Sequence, residues 1–177
     1  ARLDVMAALI DEWGAAPDAT TSDGNAVVTW AAWAGGRDAV ALLVDRAGPR
    51  RILDAVNVRG CTVAHWAAAG GDVATLEYLR RCAVDLGRRN LAGHTPLAHA
   101  VAHGRHEAVD WFVESGCVDA DAVAYAHRIA DLVRAAHWGP SRGSENHDGA
   151  RTQRAADEQS ARTAVAAALT RYAMPRI

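Results

Sequence analysis

Histidine spacing offers the first candidate for chemistry in this chain. His99 and His103 lie four positions apart, so a helix would place both imidazoles on one face, with His94 and His106 close in sequence. A zinc site needs three or four converging ligands, and no cysteine or carboxylate shares that face. We therefore expect partly solvated histidines and no metal ion.

The three cysteines offer little more. Cys61, Cys82 and Cys117 are odd in number and lack metal-ligand spacing, which favours free thiols in a reducing compartment. Cys61 is predicted to be exposed, but a nucleophile also needs a base and an oxyanion site. The sequence contains neither a Gly-x-Ser-x-Gly motif nor a phosphate-binding glycine loop. We expect no catalytic residues, no enzyme activity and no cofactor.

Repeated glycine-framed segments are the elements that must position these residues. Glycines 11 positions apart frame the same pattern three times, at Gly24 and Gly35, at Gly60 and Gly71, and at Gly93 and Gly104. The second and third copies start 33 positions apart, a period typical of stacked helical repeats. The first and second start 36 apart, and we place the three extra residues within 47–55, where Gly48-Pro49 ends any helix.

Two helices are predicted in each copy. The first helices cover residues 27–34 and 63–70 and open at Thr95-Pro96-Leu97, where threonine can cap free N–H groups and proline loses no hydrogen bond. The second helices begin near Asp38, as N-cap, and cover residues 72–81 and 105–114.

Both ends of the chain depart from the pattern. Leu3, Met6, Ile10 and Trp13 form one helical stripe before Gly14-Ala15, so the sequence is expected to open within a repeat of a longer protein. Residues 131–139 are interpreted as the first helix of a degenerate fourth repeat. Residues 140–159 are polar and predicted to be a flexible insertion. Residues 160–177 are predicted to hold a capping helix, residues 161–172, and a tail.

These copies resemble ankyrin repeats, whose pattern is Gly-x-Thr-Pro-Leu-His-x-Ala-Ala-x-x-Gly followed by a Val-x-x-Leu-Leu helix. The matching stretches are Trp30-Ala31-Ala32, Thr62 with His65-Trp66-Ala67-Ala68, and Thr95-Pro96-Leu97. The resemblance implies an all-α solenoid of stacked helix-turn-helix units with β-turn fingers and a C-terminal capping helix. It divides residues 1–139 into a partial repeat at 1–20, repeats at 21–56, 57–89 and 90–117, and a degenerate repeat at 118–139.

The resemblance also implies a function, which is binding another protein across a concave face of first helices and finger tips. The positions carried over to that face are Asp23, Asn25, Trp33, Arg59, Cys61, His94 and His103. His65 occupies the family's own histidine position and is expected to be structural. Trp30 and Trp66 are expected to be structural too, whereas Trp33 is either an exposed hot spot or covered by an upstream repeat.

Two alternative functions stay open. The arginine pairs 50–51, 80–81 and 88–89 recur near the ends of second helices, where cations favour the helix C-terminus. If they align, they predict a structural subunit of a large assembly, including a ribonucleoprotein. The second alternative is a targeting or regulatory appendage of a larger enzyme.

Composition limits the size, the partner class and the compartment that the chain can have. The chain has 177 residues, the size of one domain, and a net charge of −2 that does not support a polyanion-binding or membrane-surface protein. All 19 basic residues are arginine, which we attribute to a GC-rich genome. No apolar run is long enough to span a bilayer. We expect an intracellular protein, cytoplasmic, nuclear or in an organelle. Its partner is another protein, with nucleic acid less favoured and no small-molecule substrate.

Overall fold

The computed structural model of the protein describes residues 2–137. This part of the chain contains nine α-helices. In chain order they are α1 Leu3–Asp11, α2 Val27–Trp33, α3 Arg37–Ala47, α4 Pro49–Leu53, α5 Val63–Gly70, α6 Val73–Arg81, α7 Pro96–Ala102, α8 His106–Glu114 and α9 Ala120–His137.

The helices form two rows. Helices α2, α5, α7 and α9 pack on one another in sequence, and these are the first helices of successive units. Helices α1, α3, α6 and α8 make the second row, and each of them contacts the next. This arrangement is the predicted all-α repeat fold, because each helix pair buries its apolar face against its neighbours.

Local sequence sets where the first helices begin. The Thr95 hydroxyl accepts a hydrogen bond from the Ala98 N–H at 3.2 Å, and Pro96 occupies the first helical position of α7. Thr62 and His65 form a reciprocal capping box at the start of α5. In the second row, the Asp72 carboxylate accepts from the Thr75 N–H at 2.9 Å and caps α6. The predicted boundaries of these helices agree to within a residue or two.

The start of α3 near Asp38 was predicted to within one residue, but its N-cap was predicted wrongly. Asp38 is not its N-cap, because α3 begins at Arg37 and Gly36 precedes it. Asp38 lies in the first turn and pairs with Arg37 at 2.5 Å. A carboxylate in the first turn still interacts favourably with the helix N-terminus, so the residue suits either position.

The three extra residues of the first repeat make room for a short helix of five residues. Helix α3 ends at Ala47, Gly48 adopts a φ of +86°, and α4 follows from Pro49. Helix α4 buries Ile52 and Leu53 against the core. The insertion within 47–55 is therefore part of the packed structure, and Gly48-Pro49 does end α3 as predicted.

The fourth unit differs from the prediction. Its helix, α9, begins at Ala120 and not near Asp131, and it packs on α7 in the row of first helices. The Asp119 carboxylate accepts from the Ala122 N–H at 2.6 Å, and Ala122 and Ala126 are buried one helical turn apart. Only residues 117–119 separate Gly116 from α9, which is too short for a finger. The alanine-rich stretch hid this early start.

Small side chains allow the first helices to pack closely. The buried residues of α2, α5 and α7 are dominated by alanine and valine. A Cβ atom on Gly70 would lie 2.3 Å from the Trp33 carbonyl oxygen, so this position brings the ends of α2 and α5 into contact. The largest fully buried side chains lie mostly in the second row and the adjoining turns, including Leu43, Ile52, Leu76, Leu79 and Phe112.

Some predictions fall on residues that the structure does not describe. The flexible insertion at 140–159 and the capping helix and tail at 160–177 lie outside the described residues, as do the last two residues of the degenerate repeat. Within residues 2–137, no helix combines the length and hydropathy needed to traverse a bilayer.

Candidate functional site

Three β-turn fingers project between the repeats. Each finger closes with a backbone hydrogen bond, from Thr21 N–H to Asn25 C=O, from Asn57 N–H to Cys61 C=O and from Asn90 N–H to His94 C=O, at 2.9 to 3.1 Å. Each turn passes through a glycine with positive φ, at Gly24, Gly60 and Gly93. L-residues rarely adopt this conformation, which explains the regular glycine spacing.

Asparagine side chains hold the fingers rigid. The Asn57 Oδ1 accepts hydrogen bonds from the Arg59 N–H at 3.0 Å and the Cys61 N–H at 2.9 Å. The Asn90 Oδ1 accepts in the same way from the Ala92 and His94 N–H groups. These bonds satisfy backbone donors inside the turn and fix the direction in which each finger tip points.

Neighbouring fingers are also bonded to each other. The Val58 N–H donates to the Asp23 carbonyl and the Leu91 N–H to the Arg59 carbonyl, both at 3.0 Å. In addition, the Asn57 Nδ2 donates to the Asn25 Oδ1 at 2.8 Å, and the Asn90 Nδ2 lies 3.3 Å from the Cys61 Sγ. The three fingers therefore form one continuous edge of the molecule.

This bonding corrects two predicted binding residues. Cys61 is 6 % exposed and Asn25 is 9 % exposed, because their side chains accept bonds from the following finger. The prediction that Cys61 is exposed is wrong, and neither side chain is available to a partner. The recurrence of asparagine one repeat later, at position 57 for Asn25 and at position 90 for Cys61, was the overlooked indication.

The other five predicted site residues are all exposed or partly exposed at the surface. Asp23, Arg59 and His103 are exposed and His94 is half-buried. Trp33 is 45 % exposed and lies at the end of α2. It belongs to a cluster of three indoles, which we call the tryptophan cluster and define as Trp30, Trp33 and Trp66.

The tryptophan cluster spans two repeats. The Trp30 ring lies 5.4 Å from the Trp66 ring and 6.4 Å from the Trp33 ring, measured between centroids, the latter edge-on. Trp30 contacts the neighbouring repeat, as expected of a structural residue, and it is also 46 % exposed. The Trp66 Nε1–H is buried and has no acceptor within residues 2–137.

His65 has the structural role that was predicted. The Thr62 N–H donates to its Nδ1 at 3.1 Å, which places the proton on Nε2 and allows Nε2 to donate to the His94 carbonyl at 3.0 Å. Burial lowers the pKa of His65 and keeps the ring neutral. His65 thus joins the start of α5 to the third finger.

The remaining histidines line the same face but do not form a metal site. The His99 ring lies 6.1 Å from the His94 ring and 6.5 Å from the His103 ring. Burial, with smaller contributions from His65 and His103, lowers the pKa of His99 to about 4. Burial and then Arg105 lower the pKa of His103. No group of three potential ligands within the described part of the chain is arranged to hold a metal ion.

A groove lies along the second and third fingers. It separates these fingers from the first helices. Its larger part, about 530 Å³, lies beneath the exposed tips Val58 and Leu91 and reaches His94 and His99. A smaller part, about 230 Å³, continues from these two histidines towards Ile129 of α9. We call these two connected parts the groove.

Arginine is the charged residue of the groove. Arg59 lines it, is exposed and forms no salt bridge with any residue from 2 to 131. At its α9 margin, the His94 ring lies 6.0 Å from the Tyr125 ring, over which the guanidinium groups of Arg89 and Arg128 lie at 5.5 and 5.3 Å. No carboxylate is among the residues that line the groove.

The comparisons with known proteins agree with this geometry. A family model described as ankyrin repeats, three copies, matches residues 30–124, which is more than half of the chain. The chain therefore belongs to the ankyrin-repeat family. No curated protein was found to match the sequence. Ankyrin repeats are in general protein–protein interaction modules and are typically non-enzymatic.

Proposed function

We propose that the chain binds another protein across the face formed by α2, α5, α7 and the finger tips. Asp23, Trp33, Arg59, His94 and His103 are the proposed contacts. The observation that carries this proposal is the exposure of Trp30 and Trp33, at 46 % and 45 %, on a surface of an otherwise well-packed repeat. Exposed, clustered indoles are costly in water and common at binding hot spots.

The character of the first helices supports the same proposal. Helices α2, α5 and α7 contain no Asp, Glu or Arg, and their exposed positions carry tryptophan and alanine. Charges enter this face through the finger tips, chiefly at Asp23 and Arg59. An apolar centre with a charged rim is the usual anatomy of a protein interface.

The arginine pairs give less support to the alternative function, a structural subunit of a large assembly, than the exposed tryptophans give to protein binding. Arg51 pairs with Asp18 at 2.5 Å, and Arg80 and Arg81 share Glu77 at 2.8 and 3.6 Å. Carboxylates beside these cations reduce their attraction for phosphate. The roles of assembly subunit and of enzyme appendage stay predictions.

Replacement of Trp33 tests the proposed function. Trp33→Ala is expected to weaken partner binding by about 30-fold or more, since truncating a hot-spot tryptophan costs roughly 2 kcal/mol or more. The immobilised protein and its variants would be used to capture partners from a lysate of the source cells, followed by mass spectrometry and titration of the captured protein. Circular dichroism and thermal unfolding would verify that the variant is folded.

Trp13→Ala is the matched control. Trp13 is 79 % exposed but follows α1 in the other row of helices, away from the proposed face. This variant should capture the same proteins as the unmodified chain. If Trp33→Ala retains every captured protein at unchanged affinity, or if it unfolds the array, Trp33 is not the binding residue proposed.

A further inference from the structure

The groove between the second and third fingers restricts the kind of partner that can bind. Its rim is apolar on both sides, with Val58 64 % exposed and Leu91 82 % exposed at equivalent finger positions. Both large aliphatic side chains expose most of their surface to solvent at the tips of these turns. They provide contact surface for an apolar side chain placed between them.

The charge inside the groove has one sign. Arg59 carries a full positive charge without a carboxylate partner in the described part of the chain. Burial keeps the pKa of both His99 and His103 below the ordinary histidine value, so these imidazoles are neutral at pH 7. A single accessible guanidinium beside neutral rings suits a singly charged carboxylate, with which it can form two parallel hydrogen bonds.

The size of the groove selects the conformation of the bound segment. A volume of about 530 Å³ holds one or two side chains. A helix with its side chains is about 10 Å or more across, so this volume holds little more than one of its turns. An extended peptide, whose side chains alternate in direction, can place one of them in the groove and the next towards the solvent.

We propose that this groove binds an extended acidic segment of the partner protein, a proposal that rests on the proposed function. A carboxylate of that segment pairs with Arg59, and an adjacent aliphatic or aromatic side chain lies between Val58 and Leu91. The guanidinium groups of Arg89 and Arg128 at the α9 margin attract further acidic residues of the same segment.

Selection from a library of displayed random linear peptides tests this proposal without knowledge of the natural partner. The enriched peptides should carry Asp or Glu next to Leu, Ile, Phe or Trp. Fluorescence anisotropy with an enriched peptide should then show a loss of affinity of about tenfold or more for Arg59→Glu, because charge reversal replaces attraction with repulsion. Arg59→Lys should lose less affinity than Arg59→Glu, since it preserves the charge but loses the bidentate geometry.

Arg50→Glu is the matched control. Arg50 is also exposed and also lacks a salt bridge within residues 2–137, but it lies on α4, away from the fingers. Its reversal changes the net charge of the protein equally and should leave peptide affinity unchanged. Substitution of the Arg59 side chain does not touch the backbone bonds of the finger, so the variants should fold normally, which circular dichroism verifies.

Several results would overturn the proposal. They are the enrichment of basic or uncharged peptides, a selection that enriches none, and an equal loss of affinity with Arg50→Glu. Arg59-dependent binding of single-stranded polyuridylate, without acidic peptides, would instead assign this arginine to nucleic acid. Each of these results leaves the proposed function intact if Trp33→Ala still abolishes capture of a partner protein, so the two proposals fail separately.

Discussion

Asn57 is the residue on which the rigidity of the finger edge most depends. Its side chain makes three hydrogen bonds, accepting from the Arg59 and Cys61 N–H groups and donating to the Asn25 Oδ1. The residue is 9 % exposed, so water cannot readily replace these partners after a truncation. At about 1 kcal/mol for each bond, Asn57→Ala should lower the free energy of unfolding by about 3 kcal/mol.

Two further variants separate the bonds within the finger from the bond between fingers. Asn25→Ala removes only the inter-finger acceptor and should cost about 1 to 2 kcal/mol. Asn57→Asp keeps the acceptor for both backbone N–H groups, and the Asn25 amide can turn to donate to the new carboxylate. This variant should therefore be the least destabilised of the three at neutral pH.

Urea unfolding followed by circular dichroism measures these effects, and hydrogen exchange of the Cys61 amide localises them. The double variant Asn25→Ala/Asn57→Ala should be more stable than the sum of the single effects predicts, by about 1 kcal/mol of coupling. A cost below about 1 kcal/mol for Asn57→Ala, or no coupling between the two asparagines, would refute the reasoning.

The remaining predictions concern two glycines and one histidine. Gly70→Ala places a Cβ 2.3 Å from the Trp33 carbonyl oxygen, and Gly93→Ala meets no atom within 4 Å but has a φ of +80°. For Gly70→Ala we expect crowding to lower the free energy of unfolding by about 1 to 3 kcal/mol. For Gly93→Ala we expect backbone strain to lower it by about 1 to 2 kcal/mol. Thermal unfolding measures both changes. Only Gly70→Ala should also alter tryptophan fluorescence, and an unchanged spectrum would contradict the packing of α2 on α5. Because the pKa of His99 falls from 6.5 to about 4 on folding, the unfolded chain binds the proton first as the pH decreases. The contribution of neutral His99 to stability is complete above pH 6.5. Between pH 6.5 and about 4 the free energy of unfolding should fall by about 2 kcal/mol, a value that allows for the partial exposure of the ring. His99→Gln should flatten that part of the pH profile, and an unchanged slope would argue against a buried neutral imidazole.

The repeat architecture follows from local features of the sequence. The glycine spacing, the capping residues Thr62, Thr95 and Asp72, and the apolar periodicity act over a few residues at a time. For this reason the three helix pairs and the fingers between them were predictable from the chain alone. The start of α9 was not, because the alanine-rich stretch after Gly116 has no strong apolar period, and its packing on α7 is a tertiary contact.

The surface properties of individual residues depended on the tertiary structure. Cys61 and Asn25 occupy finger positions that the family pattern marks as variable, but bonds from the next finger bury them. The environment of Trp30 likewise depends on Trp66, which lies 36 positions away. The sequence by itself determined the repeats, because their signals are local, whereas only the stacking of one repeat on the next decided which side chains remain free to meet a partner.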